Sequence, residues 1–254
     1  MAISKRLRQL LLAWADRYET ADFLIGDPSW FMHQVCGEKN QEVMAFIASS
    51  LSYGNRKAFL SKIQLLLDAS AHEPYRWVLK GGYRDILPDD GSCFYRLYTH
   101  HAMRIFLDAL REMLENEGSI KAFVNNGNEP LTALHAIEQL CGYFSSHGIS
   151  GIIPRDTASS CKRLCMFLRW MVRDGSLVDL GIWADIIDKR SLIIPLDTHV
   201  LTVANELGMI TTHSTSMATA RRLTAQLAAI FPDDPARGDF ALYGYGIHSG
   251  ESKD

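Results

Sequence analysis

The chain has 254 residues, of which 47% are hydrophobic and 22% are charged, and this composition excludes a disordered or collagen-like protein. With 26 basic and 29 acidic residues the formal net charge is -3, which argues against a protein that coats nucleic acid or a membrane by bulk charge. At about 150 residues per domain, the length predicts one two-lobed unit over 1–254. We expect lobe A at about 40–185 and lobe B at about 1–39 plus 186–254.

The N-terminal segment and the cysteines bear on location. Leu7, Leu11 and Trp14 recur at helical spacing between charged residues, which predicts an amphipathic helix and not a signal peptide. No stretch approaches the roughly 20 apolar residues of a membrane helix. The five cysteines are scattered and form no C-x-x-C pair, so we predict reduced thiols in a cytoplasmic protein and no zinc site.

Helical periodicity dominates the rest of the chain. After the first helix, Asn40 is the predicted cap of a helix whose core stripe reaches Leu51 and which Gly54 ends, and Asn55 is the predicted cap of the next one. A loop is expected at 81–93, followed by helices at 94–116, 130–145, 158–173, 179–188, 198–208, 215–230 and 235–246. Only 192–195 and short pieces near Tyr83 and Ile152 look extended, so the predicted fold class is all-α.

The helix predicted at 158–173 carries Lys162, Arg169 and Arg173 on one face, at i, i+7 and i+11. This arrangement is typical of a solvated basic face. However, Met166, Phe167 and Trp170 make the helix apolar on more than one side, which favours a central helix whose basic residues line a cleft. The preceding residues offer N-caps at Asp156, Thr157 and Ser159, and a helix start of this kind favours anions.

A second informative segment is SLIIPLDTHVLTVANELG, residues 191–208. Pro195 interrupts the chain and Asp197 stands where an N-cap belongs, before a helix that ends at Gly208. Asp197 is explained by capping alone, which stabilises a helix by about 1 kcal/mol. A catalytic role needs additional support.

Together, the Lys-bearing helix and the following L-D-T-H-V segment resemble the helix-hairpin-helix DNA glycosylases, a superfamily that includes endonuclease III and the oxidised-guanine glycosylases. In those enzymes the Asp before Thr-His is the essential carboxylate, which corresponds to Asp197, and the Lys of the bifunctional members corresponds to Lys162. The segment EVMAFIASSLSYGNRKAFLSKI resembles their early apolar helix, whose end, here 50–55, feeds residues toward the extruded base. DFALYGYG resembles their last core helix and its glycine-containing turn.

Over its whole length the chain also resembles an uncharacterised bacterial conserved-hypothetical family, whose hallmark is CKRLCMFLRWMVR…VDLGIW…LIIPLDTHV. That family carries no established activity that could be transferred.

Three features depart from the glycosylase pattern. The superfamily's G-x-G-x-K hairpin, whose glycines let backbone amides approach a phosphate, has Ala158 and Ser160 at the glycine positions. The segment RDGSLVDLGIWADIIDKRS lengthens the spacing between Lys162 and Asp197. No cysteine follows Cys165, so we expect no iron–sulfur cluster and no other cofactor.

The resemblance implies a two-lobed helical fold of the helix-hairpin-helix DNA glycosylase type, with Asp197 and Lys162 as catalytic residues. It implies a DNA partner, no membrane and a monomer. The expected nucleic-acid contacts are Ser159, Ser160, Arg163, Arg169, Arg173 and Asn55. Tyr53 and Trp170 are candidates for the base pocket or for the core, and no catalytic role is expected for His199.

Two other functions stay open at this point: a non-enzymatic nucleic-acid-binding protein that retains the fold, and an enzyme acting on RNA or a nucleotide. Because the net charge is negative, any DNA binding must depend on a local basic patch and should show a modest salt dependence.

Overall fold

A computed structural model of the protein describes residues 3–125, 127, 131–149 and 151–251, and for 247–251 it describes the backbone alone. The predicted all-α class is confirmed. The α-helices are α1 (Lys5–Tyr18), α2 (Glu38–Leu51), α3 (Arg56–Ala69), α4 (Pro74–Leu79), α5 (His100–Glu117), α6 (Ile120–Val124), α7 (Ala133–Ser146), α8 (Lys162–Val172), α9 (Thr198–Glu206), α10 (Met217–Ala228) and α11 (Gly238–Glu251). One antiparallel hairpin, β1 (Cys93–Tyr95) and β2 (Tyr98–Thr99), is the sheet of the described residues.

Several helix starts follow from local capping. The Asn55 side chain accepts a hydrogen bond from the Ala58 amide, so the predicted cap of α3 is confirmed. Asp197 caps α9 in the same way. Asn40 was the wrong cap for α2, because this helix begins one turn earlier after Gly37, and the Asn40 amide donates to the Cys36 carbonyl instead.

Other predicted elements differ from the structure. The helix expected at 94–116 starts only at His100, because 93–99 form the hairpin and Thr99 caps α5. The helix expected at 179–188 is absent. There, the amides of Leu180, Gly181 and Trp183 turn back to donate to the last carbonyls of α8. The short helices α4 and α6 were not anticipated, and residue 130 of the helix predicted at 130–145 lies outside the described residues.

The segments expected to be extended form no ladder. Residues 192–195 have no strand partner, and Ile152 lies in a bend. Tyr83 lies in a 3₁₀ turn, Gly82–Asp85. These apolar stretches are buried as irregular chain, which explains why they mimic short strands in the sequence.

By contact density the chain forms two compact units. Unit 1 comprises Met1–Ile25, Thr132–Ile137 and Thr157–Asp254, and unit 2 comprises Gly26–Leu131 and Glu138–Asp156. These boundaries differ from the predicted lobes, since 157–185 belongs with the C-terminal helices and 26–39 belongs with α2 and α3.

Unit 2 is built around α2, α5 and the greater part of α7. Phe46, Phe106 and Phe144 lie at its centre, with ring centroids 5.4 to 5.9 Å apart. All three rings are fully buried, and α2 is apolar around most of its circumference. Burial of each such side chain contributes about 1.5–3 kcal/mol, so this cluster stabilises the unit.

Unit 1 has α8 at its centre, as the two-sided apolar pattern predicted. Eight of its 11 residues are buried. Phe167 packs edge-on against Trp183, with centroids 5.2 Å apart. The first and last helices also pack together: a Cβ at Gly244 of α11 would overlap the Tyr18 ring of α1. The glycines of DFALYGYG were expected in a turn, but they lie inside α11. At Gly244 the absence of a side chain allows α1 to approach closely.

No helix of the described residues is both long enough and apolar enough to span a membrane.

Candidate functional site

The two residues predicted to be catalytic meet in unit 1. Lys162 is the first residue of α8, and its Nζ lies 2.9 Å from Oδ2 of Asp197, the N-cap of α9. The side chains are 35% and 33% exposed, so both groups reach solvent. They are separated by 34 residues in sequence but form one polar site, which meets the distance requirement for acting on one carbon atom.

Hydrogen bonds of the segment before α8 fix this geometry. The Ser160 hydroxyl donates to the Leu196 carbonyl at 2.7 Å, directly before Asp197. The Ser160 amide donates to the Thr215 carbonyl at 3.0 Å, and Ser159 forms an isolated bridge with Ser216. Cys161 then turns the chain into the helix through a left-handed conformation with φ +48°. The starts of α8 and α9 are thus held together by backbone contacts and not by the ion pair alone.

Asp197 uses its two carboxylate oxygens for different partners. Oδ1 accepts from the Val200 amide at 2.9 Å, and Oδ2 contacts Lys162. Burial raises the pKa of Asp197, but the Lys162 ammonium, the Val200 hydrogen bond and the charge of His199 together lower it by more, so the pKa lies below the ordinary aspartate value. Asp197 is therefore a carboxylate at neutral pH.

Asp239, near the start of α11, is a residue of this site that sequence reasoning missed. Its carboxylate pairs with Arg169, and its side chain is 15% exposed. Burial raises the pKa of Asp239, Arg169 lowers it, Asp197 raises it and Lys162 lowers it, leaving the pKa above its ordinary value. Asp239 is therefore close enough to Asp197 and Lys162 for their charges to affect its pKa, while its own ion pair is with Arg169. No spacing signal links position 239 to positions 162 and 197.

The prediction that Arg169 and Arg173 bind nucleic acid does not fit the structure. Their side chains are 3% and 2% exposed. Asp179, itself completely buried, accepts hydrogen bonds from both guanidinium groups. Groups enclosed and neutralised in this way are not available to phosphates, so the basic face predicted for α8 is a buried ion network.

Arg173 also joins this network to α1 and to the loop before α11. It donates to Glu19 at 2.6 Å and to the two oxygens of Asp234 at 2.7 to 3.0 Å. Arg237 contacts Glu19 as well, at 2.7 Å. The network therefore cross-links α1, α8 and the chain leading into α11, and its role is structural.

The remaining predicted site residues divide between surface and core. Ser160 is buried and used in the hydrogen bonds above, so it is not a phosphate contact, whereas Ser159 is exposed. Arg163 is partly exposed in the first turn of α8. Trp170 is fully buried and so cannot line an open pocket. The N-caps expected at Asp156, Thr157 and Ser159 are replaced by Cys161, whose side chain makes no capping bond.

Asn55 and Tyr53 lie in unit 2, where Asn55 is exposed and caps α3. The Tyr53 ring is partly buried against Tyr95 and Tyr98, with centroids 5.2 and 5.0 Å away. Asn55 therefore remains a surface residue, and Tyr53 supports the neighbouring hairpin.

His199 lies against another helix, and Cys161 and Cys165 are buried. A Cβ at Gly246 would overlap the His199 ring, so this ring lies directly against the α11 backbone. Cys161 and Cys165 are buried, and burial raises the pKa of the Cys165 thiol. Among the described residues, no group of three or more His, Cys, Asp or Glu side chains has the geometry to hold a metal ion.

The chemistry available here is that of a fixed carboxylate beside a primary amine. A carboxylate stabilises positive charge that develops on a nearby carbon, and an amine that has lost its proton is a nucleophile toward an electrophilic carbon. Both groups are about one-third exposed to solvent.

Comparison with known proteins gives a family but no activity. A family model described as "Protein of unknown function (DUF2400)" matches residues 27–248. This range contains the whole of the Lys162–Asp197 site. Neither the curated proteins nor the solved structures contain a match to the chain. The chain belongs to the DUF2400 family.

Proposed function

We propose that this protein is a DNA-repair enzyme that cleaves the N-glycosidic bond of a base flipped out of DNA, and that it also has abasic-site lyase activity. The observation that carries the proposal is the 2.9 Å contact between Lys162 and Asp197 at the starts of two helices. The resemblance of the L-D-T-H-V segment to the helix-hairpin-helix glycosylases supplies the class of reaction.

Asp197 is the residue that stabilises the sugar. Departure of a base leaves positive charge on the anomeric carbon, and an adjacent carboxylate stabilises that charge. The lowered pKa keeps Asp197 ionised at neutral pH. Its cap bond to Val200 holds one oxygen still, which orients the other toward the reacting group.

Lys162 is the nucleophile. After Nζ has given one proton to solvent water, it bonds to the anomeric carbon while the base leaves with the electron pair of the glycosidic bond and takes up a proton from water. Opening of the sugar ring then gives a protonated imine. At an existing abasic site the amine instead condenses with the aldehyde and releases water. Loss of a proton from the neighbouring carbon expels the 3′ phosphate and breaks the strand.

The proposal includes a two-lobed fold of the helix-hairpin-helix glycosylase type, a DNA partner, a cytoplasmic location and a monomer. The helical architecture and the central position of α8 in unit 1 are compatible with it. With Arg169 and Arg173 buried, Ser159 and Arg163 are the predicted phosphate contacts of unit 1 that remain exposed or half-exposed.

Borohydride trapping on duplex DNA with an abasic site tests this function. Borohydride reduces an imine to a stable amine, so the wild-type protein should give a protein–DNA adduct on a denaturing gel. Lys162→Ala should give none. Lys189→Ala is the matched control, because Lys189 also belongs to unit 1, is 33% exposed and pairs with an aspartate, Asp174, at 2.6 Å.

Retention of the adduct in Lys189→Ala together with its loss in Lys162→Ala supports the enzyme. Duplex binding without an adduct and without base release instead supports the alternative, a nucleic-acid-binding protein that does no chemistry. An adduct of equal yield in Lys162→Ala contradicts the assignment of the nucleophile.

A further inference from the structure

The tip of the β1–β2 hairpin carries the most exposed of the large hydrophobic side chains in the described chain. Leu97 is 86% exposed and stands at the turn between the two strands. The neighbouring Arg96 adopts φ +51°, a conformation that side-chain-bearing residues rarely take. A single exposed leucine is common on protein surfaces, but this one stands on a fixed turn with cations beside it.

The hairpin is held firmly in place. The Tyr95 hydroxyl donates to the Tyr53 carbonyl, and the Leu97 amide donates to the Tyr53 hydroxyl at 3.3 Å. The Arg96 guanidinium lies over the Tyr53 ring, 5.4 Å from its centroid. Gly54 allows this approach, because a Cβ there would lie 2.6 Å from Arg96 Nη1. Leu97 is therefore presented on a fixed turn and not on a loose loop.

The groups flanking this turn are cations. Lys62 Nζ lies over the Phe94 ring of β1, 4.9 Å from its centroid, and Lys57 is exposed in the first turn of α3, three residues after Gly54. Within the described part of the chain, Arg96, Lys57 and Lys62 make no ion pair with a carboxylate. Arg56 beside them is paired with Asp27 at 3.0 Å.

We propose that this surface, which we call the Leu97 tip (Arg96, Leu97, Lys57 and Lys62), contacts duplex DNA, with Leu97 entering the base stack. The proposal deepens the function above and depends on its DNA partner. Proteins that distort duplexes insert apolar side chains between base steps while nearby cations hold the phosphates. A leucine on a rigid turn among three cations has this combination.

The same features fit a protein partner less well. Protein interfaces have an extended apolar centre from which charged residues are depleted. Here the exposed apolar group of the turn is a single leucine, and Arg96, Lys57 and Lys62 have no carboxylate partner among the described residues.

Fluorescence of 2-aminopurine, placed next to an abasic site in duplex DNA, tests the proposal with the full chain. The base analogue brightens when it unstacks. Wild-type protein should raise the fluorescence at saturation, and Leu97→Ala should reduce that rise at least about fivefold. Leu177→Ala is the matched control, because Leu177 is 65% exposed in unit 1, and it should behave as the wild type.

The cations are tested by the salt dependence of duplex affinity. Arg96→Gln, Lys57→Gln and Lys62→Gln should each reduce the slope of log affinity against log salt by about 1, the value for one lost phosphate contact. Leu97→Ala should leave that slope unchanged, since it removes no charge.

A wild-type fluorescence rise that persists in Leu97→Ala overturns the proposal. The proposal is also overturned if the wild-type protein binds the duplex without raising the fluorescence. Failure of the wild-type protein to bind the duplex overturns it too, and is the result expected if the Leu97 tip contacts a protein instead. Borohydride trapping separates this result from failure of the proposed function. If the wild-type protein forms an adduct and Leu97→Ala gives the same fluorescence rise as the wild type, only the role of the Leu97 tip is contradicted. If Leu97→Ala loses the rise and the wild-type protein forms no adduct, only the proposed enzymatic activity is contradicted.

Discussion

Replacement of Arg173 by methionine tests the buried ion network of unit 1. Methionine retains the apolar length of the side chain but removes the guanidinium group. This leaves Glu19, Asp179 and Asp234 without their shared partner, although Asp179 keeps Arg169 and Glu19 keeps Arg237. Because Asp179 is completely buried and the other two carboxylates are 11% and 17% exposed, water cannot replace the lost hydrogen bonds fully.

Removing one partner of a buried ion pair costs about 3–5 kcal/mol. For a protein of this size about 1 kcal/mol corresponds to roughly 2–4 °C, so Arg173→Met should lower the melting temperature by about 6–20 °C. Calorimetry at neutral pH measures this shift. Arg190→Met is the matched control, since Arg190 is 65% exposed, pairs with Asp188, and should change stability by less than about 1 kcal/mol.

A loss of less than about 1 kcal/mol in Arg173→Met would refute the reasoning, because it would mean that the three carboxylates are solvated or find other partners. Equal losses in Arg173→Met and Arg190→Met would contradict it as well. Either result would also reopen the prediction that Arg173 is available to phosphate.

Three further predictions concern acid stability, capping and packing. The pKa of Glu19 is lowered, since burial raises it but Arg173 and Arg237 lower it by more. The stability that Glu19 contributes is therefore fully present above the ordinary value of 4.5 and is lost as pH falls through the lower folded-state pKa. Melting curves should show the difference in stability between wild type and Glu19→Gln narrowing as pH falls below 4.5. Asp197→Asn should abolish release of the base but retain the cap, whereas Asp197→Ala should also lose about 1 kcal/mol in urea unfolding. Equal stability of the two variants would count against the cap. Gly244→Ala should destabilise the protein by about 1–3 kcal/mol because the new Cβ overlaps the Tyr18 ring. Gly142→Ala is the control: this exposed site of α7 has no atom within 4 Å of the new Cβ, so the free energy of unfolding should rise by up to about 1 kcal/mol. A rise in both variants would contradict the close packing of α11 on α1.

The elements predicted well from sequence are those that local chemistry determines. The caps at Asn55 and Asp197 and the two-sided apolar pattern of α8 needed only neighbouring residues. The helix predicted at 179–188 failed because its amides complete the end of α8, and no sequence period reports that contact. The hairpin at 93–99, where the sequence predicted the start of a helix, was missed for a similar reason, since it depends on an unusual Arg96 conformation and on Tyr53.

The site shows the same division. The resemblance selected Lys162 and Asp197, and the structure brings them to 2.9 Å. The basic face of α8 was misjudged, because periodicity places Arg169 and Arg173 on one side of the helix but says nothing about acids brought there by other segments. Asp179, Asp234 and Asp239 come from outside α8, and their meeting with these arginines is a tertiary property.

The position of the covalent bond tests the central claim most directly. After borohydride trapping on an abasic-site duplex, the adduct is digested and the peptide that carries the reduced sugar is identified by mass spectrometry. The account predicts the sugar on Lys162, next to Asp197. A sugar on Lys189, on another lysine or on the N-terminal amine would contradict it.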